Sequence, residues 1–218
     1  MSTPNNSTTE HLYEIHITTN CDLFLLNAVC SSHKYQYIVV QNQKGKYAQQ
    51  AIVTKWVMRT SHKEAVERAY EIAYILKENG LEITRIKVEL ELTNFPEDYY
   101  LQNDDKMEKD FKQYYEFHIK IPFENRENAL VELKTLSNYC NEHKLGLSSL
   151  VQSKCSDFKP IVTLRLRDPG MSKKDAMAKK ASMIQDLKSK GFVLSTKIHQ
   201  ECAIFDYDPL NMDEDWLL

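Results

Sequence analysis

Tyr13-Glu-Ile-His-Ile17, near the start of the chain, returns as Tyr115-Glu-Phe-His-Ile119, 102 positions later. Both segments alternate apolar and polar residues, the period of a strand with one buried face. The repetition continues beyond them, and an internal repeat constrains a fold more than any local propensity. After each opening strand comes a helical stretch: Phe24, Leu25 and Val29 in the first half, and Ala129, Leu130, Leu133, Leu136 and Cys140, behind an Asn125 cap, in the second. Strands follow at Tyr35–Val40 and Ala51–Met58, and again at Leu145–Val151 and Pro160–Leu166, with Ile52-Val-Thr54 echoed by Ile161-Val-Thr163. A second helix in each half opens on a cap, Ser61-His-Lys-Glu64 or Ser172-Lys-Lys-Asp175, and stops at Gly80 or Gly191. Ala65, Val66, Ala69, Ile72, Ala73 and Leu76 form the inward face of one, and Met177, Ala181, Ile184 and Leu187 that of the other. Final strands are placed at Leu81–Leu92 and Phe192–Phe205.

This order implies an α+β chain of two tandem ferredoxin-like β-α-β-β-α-β lobes, each an antiparallel sheet with helices on one face. The expected organisation is a disordered N-terminus over 1–10, a first lobe over 11–93, an acidic linker over 94–112, a second lobe over 113–205 and an acidic tail over 206–218. Asp206, Asp208, Asp213 and Asp215 belong to that tail; their spacing is wrong for a calcium loop, and exposure is expected for them.

Twenty-eight Lys and Arg against 31 Asp and Glu leave a net charge of −3, which argues against a general nucleic-acid or acidic-membrane binder. Five cysteines, an odd number without a Cys-x-x-Cys spacing, argue against a disulfide framework or structural zinc and for a reducing, cytoplasmic setting. No signal peptide or membrane span is expected, and no cofactor or metal. Five unclustered glycines form no phosphate-binding loop.

The chemistry lies on the sheet faces turned away from the helices. By period-two bookkeeping, Glu116, His118 and Lys120 share such a face with Thr163, Arg165 and Arg167, and with Lys197, His199 and Glu201. The counterparts are Glu14, His16 and Thr18, then Thr54, Trp56 and Met58, then Arg85, Lys87, Glu89 and Glu91. Cations fixed on strands suit phosphate or carboxylate recognition. The candidate site therefore comprises His16, His118 and Thr18 as catalytic groups. Its binding groups are Glu116, Lys120, Thr163, Arg165, Arg167, Lys197, His199 and Lys87.

His16-Ile-Thr18 resembles one half of the paired motif of the two-histidine phosphoesterases. The resemblance implies one imidazole as base, the other as acid, and hydroxyls on the phosphate. The second motif is His118-Ile-Lys120, with Lys where that family has a hydroxyl. Glu116-x-His118-x-Lys120, Arg165-x-Arg167 and Lys87-x-Glu89-x-Glu91 loosely resemble the triphosphate tunnel enzymes, whose alternating charges line a barrel; the helix-containing repeat fits such a barrel poorly. Over nearly the whole chain, the Glu-x-His-Ile-Lys strand, Val162-Thr-x-Arg165 and the Phe205-Asp-Tyr-Asp208 to Trp216 tail resemble a group of uncharacterised bacterial proteins, which implies the duplicated fold and no activity. Two functions follow. One is binding of an anionic, phosphate-containing small molecule or nucleotide, extending to phosphodiester or nucleotide hydrolysis. The other is a non-catalytic module for a protein partner.

Overall fold

The computed structural model describes residues 9–43, 47–101, 113–123, 129–151, 160–168, 170–210 and 212. Its elements run β1 (His11–Asn20), α1 (Leu23–His33), β2 (Gln36–Asn42), β3 (Gln49–Arg59), α2 (His62–Glu78) and β4 (Glu82–Glu91), then β5 (Tyr114–Lys120), α3 (Ala129–Glu142), β6 (Gly146–Leu150), β7 (Ile161–Leu166), α4 (Lys173–Ser189) and β8 (His199–Tyr207). Local chemistry explains the helix ends. Ser61 and Ser172 accept from the backbone N–H groups of Glu64 and Asp175. Gly80 and Gly191 take φ of +85° and +88° just past α2 and α4, a conformation that a Cβ disfavours. Asp22 caps α1, and Lys34 ends it in the left-handed region at φ 55°.

The eight strands do not form two tandem ferredoxin-like lobes with open sheets. They form one closed antiparallel barrel in the order β1-β3-β2-β6-β7-β5-β8-β4. Two seams close it: β4 pairs with β8 from Ile86↔Tyr207 to Glu91↔Glu201, and β2 with β6 from Val40↔Leu150 to Asn42↔Ser148. The physical reason lies at the edges. A lobe standing alone would leave β2, β4, β6 and β8 each with an unpaired row of backbone donors and acceptors; pairing them with each other removes every edge. Closure also encloses the charged faces, which were expected to look outward.

The apolar core is a sleeve between barrel and helices. Ile15, Ile17, Val53, Val88, Phe117, Ile119, Val162 and Leu164 are buried on the outer barrel face, against Leu26, Ala69, Ile72, Leu76, Leu136, Ala176 and Leu187. Three helix faces differ from expectation; in α4 Ala181 is exposed, while Ala176 and Met183 are buried beside Leu187. In α1 the buried residues are Leu26, Val29 and Cys30, while Phe24 is 83% exposed; in α3 Leu130 is exposed and Tyr139 is buried. The cap expected at Asn125 lies outside the described residues.

Of the stretch expected as an acidic linker, the part through Leu101 packs onto the start of α4. Lys173 Nζ donates to the Phe95 carbonyl at 2.9 Å, Leu101 N–H to the Met171 carbonyl at 3.1 Å, and Phe95 and Leu101 are buried. The rest, 102–112, lies outside the described residues. The expected exposed tail is corrected as well: β8 continues to Tyr207, and Asp206 and Asp208 are buried. Asp213, Asp215 and Trp216 lie outside the described residues. Among the described residues, no helix is long and apolar enough to cross a membrane.

Candidate functional site

Closure of the barrel turns the polar members of each alternating strand inward. From β1 come Glu14, His16 and Thr18, from β5 Tyr114, Glu116 and His118, from β4 Arg85, Lys87 and Glu89, from β7 Thr163 and Arg165, and from β8 Glu201 and Asp206. Charges this deep survive only when paired. Arg85 grips Asp206 through two bonds of 2.8 Å, from Nε and Nη2, the fork geometry that suits a carboxylate. Tyr114 closes that triangle, accepting from Arg85 Nη2 and donating to Asp206, both at 3.0 Å. Arg165 and Arg167 lie over the Tyr114 ring, 5.5 Å and 4.9 Å from its centroid. Arg165 Nε donates to Glu116 at 2.9 Å, and Lys87 Nζ lies 2.7 Å from Glu89 and 3.4 Å from Glu116.

The two histidines sit in matching relays. Glu116 Oε1 is 3.0 Å from His118 Nε2, and His118 Nδ1 is 3.0 Å from Thr163 Oγ1. In the first half Glu89 Oε2 is 2.9 Å from His16 Nε2, and His16 Nδ1 is 3.2 Å from Thr54 Oγ1. Each imidazole thus stands between a buried carboxylate and a threonine, although neither oxygen of Glu89 has a well-aligned hydrogen bond.

The electrostatics divide the carboxyls into two groups. Burial pushes Glu116 up, but Arg165, Lys87 and His118 outweigh it and hold the group well below the usual carboxylate range. Asp206 is held down against burial in the same way, chiefly by Arg85. Burial favours neutral Lys87, yet Glu116 and Glu89 raise it above the ordinary lysine value. Glu201 goes the other way: burial, then the nearby Glu89 and Glu14, push it up to about 10. Glu14 is raised too, first by burial. The two kinds of carboxyl group are interleaved: Glu201, held protonated, stands opposite Glu116 across β8 and β5, and Glu14 opposite Glu89 across β1 and β4.

A cavity of about 120 Å³ lies inside the barrel. His16, Thr18, Arg85, Lys87, Glu116, His118, Thr163 and Arg165 line it, with Asn42, Gln50 and Ser148 as further polar groups. Asp206, which balances Arg85, and Glu89, one of the two carboxylates on Lys87, are absent from the lining, whereas the other, Glu116, is part of it. A larger open groove of about 500 Å³ adjoins it, sharing His16 and Ile38 and carrying Glu14, Tyr35, Thr54 and Trp56.

Of the residues singled out from sequence, the cavity brings together His16, His118, Thr18, Glu116, Thr163, Arg165 and Lys87. Lys120, Arg167, Lys197 and His199 stand away from its lining. Arg167 turns to Asp206 at 3.7 Å, and Lys197 is exposed ahead of β8, which begins at His199 rather than Phe192. Arg85 was legible from its strand parity and belongs with the site. Asp206 was not: a bulge between Val88 and Glu89 in the β4–β8 ladder inserts Ile204 and switches the parity of the last strand. Tyr114 precedes the recurring motif and shares the inward parity of Glu116. Among the described residues, no group of three or more His, Cys, Asp or Glu has the arrangement of a metal site.

No protein-family model matches the chain. No curated protein sequence matches it either. The expected kinship with the uncharacterised duplicated group and with the two-histidine phosphoesterases is not sustained: the closed barrel departs from the two separate lobes on which both readings were placed. Among solved structures, one described as a "putative glycine cleavage system transcriptional repressor" aligns with 88% of this chain and 97% of its own, at 10% identity and a TM-score of 0.27. A likeness of that size carries no argument about function.

Proposed function

We propose that the barrel is a receptor for one small oxyanion, the phosphate, sulfate or carboxylate group of a small molecule, held in the internal cavity. One observation carries this reading. Among the described residues, the lining presents Arg85, Lys87 and Arg165 with Glu116 as its one carboxylate, while Asp206 and Glu89 are not part of it. Fixed cations and hydroxyls in a water-poor interior stabilise an anion without having to reorganise around it. An eight-stranded barrel has room inside for side chains or one small ligand, and about 120 Å³ suits an oxyanion rather than a whole nucleotide.

The same geometry favours binding over turnover. Acid–base work on a phosphodiester needs one imidazole nitrogen free to take a proton and another free to give one. Here the nitrogens of His16 and of His118 face carboxylates and threonines of the barrel wall, so a proton gained or lost there is shared with the wall rather than passed directly to a ligand. Titration calorimetry with phosphate and sulfate tests the reading. Saturable binding is expected, weakened about tenfold or more in Lys87→Met or Arg165→Met through loss of a charge-assisted hydrogen bond. No saturation with any small oxyanion, or unchanged affinity in both variants, defeats it. Hydrolysis of a phosphodiester panel that is lost in His118→Ala would establish the enzyme instead.

A further inference from the structure

The cavity wall contains a hydroxyl whose hydrogen has two competing destinations. Thr163 lines the cavity, and its Oγ1 lies 3.0 Å from His118 Nδ1. The opposite nitrogen, Nε2, faces Glu116 Oε1 at 3.0 Å. Glu116 is ionised, held so by Arg165, Lys87 and His118 against its burial, and a carboxylate oxygen can only accept. Nε2 must therefore carry the proton whenever His118 is neutral. Nδ1 is then a bare acceptor, and the one hydrogen that can satisfy it belongs to Thr163. In that state the threonine shows the cavity only lone pairs, which repel an anion. When His118 gains a second proton, Nδ1–H donates to Thr163 instead. The hydroxyl hydrogen is released to point inward, where it can donate to a bound oxyanion.

We propose that oxyanion binding in the barrel takes up one proton, stored on His118 and converted by Thr163 from a lone pair facing the ligand into a donor. The inference rests on the reading of the cavity as an oxyanion site and specifies how that site is regulated. The bond bookkeeping is simple: a solvent proton joins His118 Nδ1, the Thr163 Oγ1–H···Nδ1 bond becomes Nδ1–H···Oγ1, and the threonine hydrogen turns to the ligand. No covalent bond to the ligand forms. The first-half relay does not add a second proton, because Thr54 lines the outer groove rather than the cavity.

The other charged groups around His118 act as a fixed background. From β5 they are Glu116 and Lys120, from β7 Arg165, from β8 His199 and Glu201 at 4.0 Å, and from β4 Lys87 through Glu116. Burial and the neighbouring Lys120, His118 and Lys197 lower His199, and Glu201 is held protonated to about 10. Neither reaches Thr163, so removing its hydroxyl separates their titration from the relay.

Sulfate is the probe, since its own charge is constant near neutrality. Its binding to the whole chain is measured by calorimetry from about pH 5.5 to about pH 8.5, in buffers of different ionisation enthalpy. The expected result is uptake approaching one proton per sulfate, with affinity falling by up to about tenfold per pH unit toward the alkaline end. Thr163→Val should still bind, more weakly and with little pH dependence, and Thr163→Ser should restore the linkage. Sulfate binding without proton uptake, or linkage that survives unchanged in Thr163→Val, overturns the proton relay and leaves the oxyanion site standing. Absence of sulfate binding at every pH overturns both.

Discussion

Arg85 and Asp206 show how dearly single residues are held inside this barrel. Both are buried, and their bidentate bond is completed by Tyr114. Removing one partner strands the other charge without water. Asp206→Asn should therefore lower unfolding free energy by about 3–5 kcal/mol in urea titration. Arg85→Met with Asp206→Leu should recover most of that loss, since a hydrophobic pair of similar volume needs no desolvation of charge. If the double variant is as unstable as the single one, the pair supplies net stability rather than mutual neutralisation. Glu201 gives a prediction with a definite sign. Its folded pKa, about 10, lies above that of an unfolded glutamate, so between roughly pH 4.5 and pH 10 the native state binds the extra proton. Its contribution is complete at low pH and is lost as pH rises. Glu201→Gln should flatten the alkaline fall in stability, by at most about 1.4 kcal/mol per pH unit. Denaturant titrations of both proteins at pH 5, 7 and 9 would show the curves separating progressively; parallel curves would mean that Glu201 ionises normally.

Among the elements, the helix caps were readable from sequence, and the amphipathic faces of α1, α3 and α4 were less so. Ser61, Ser172, Gly80 and Gly191 act within one turn of chain, and they stand where local chemistry places them. Gly80→Ala and Gly191→Ala should each cost about 1–2 kcal/mol, the left-handed penalty alone, because an added Cβ meets nothing within 4 Å at Gly191 and only Leu25 at 3.9 Å at Gly80. Thermal unfolding of the two variants should therefore shift alike; a much larger effect at either position would point to a steric clash instead. By contrast, Phe24 and Leu130 have apolar character and helical spacing, yet both are exposed, while Cys30 and Tyr139 go inside. Which stripe of a weakly patterned helix is buried depends on the sheet beneath it. β8 failed for a related reason: its inserted residue is a property of pairing with β4, and period-two counting cannot foresee it.

For the whole molecule, the two seams differ in length. The β4–β8 ladder runs over Ile86–Glu91, whereas β2 and β6 meet only over Val40–Asn42 and Ser148–Leu150, extended by the bonds of Gln43 N–H and Val151 N–H. The shorter seam should open first. Hydrogen exchange is expected to be faster for the seam amides of Gln43 and Val151 than for the central amides of β1, which are flanked by β3 and β4. Because Asn42 and Ser148 line the cavity, added oxyanion should slow the seam amides if the ligand enters there; equal protection of both seams would locate entry elsewhere. From the chain alone one can derive the alternating strands, the capped helices and the shared faces turned away from the helices, His16 and Lys87 on one and His118, Glu116 and Arg165 on the other, because parity and capping depend on neighbours a few residues apart. Whether those faces would look out at water or in at one another was decided only in three dimensions. Closure depends on which edge finds which partner across about a hundred residues, and unpaired backbone at four edges is satisfied most completely when the sheet has no edge at all.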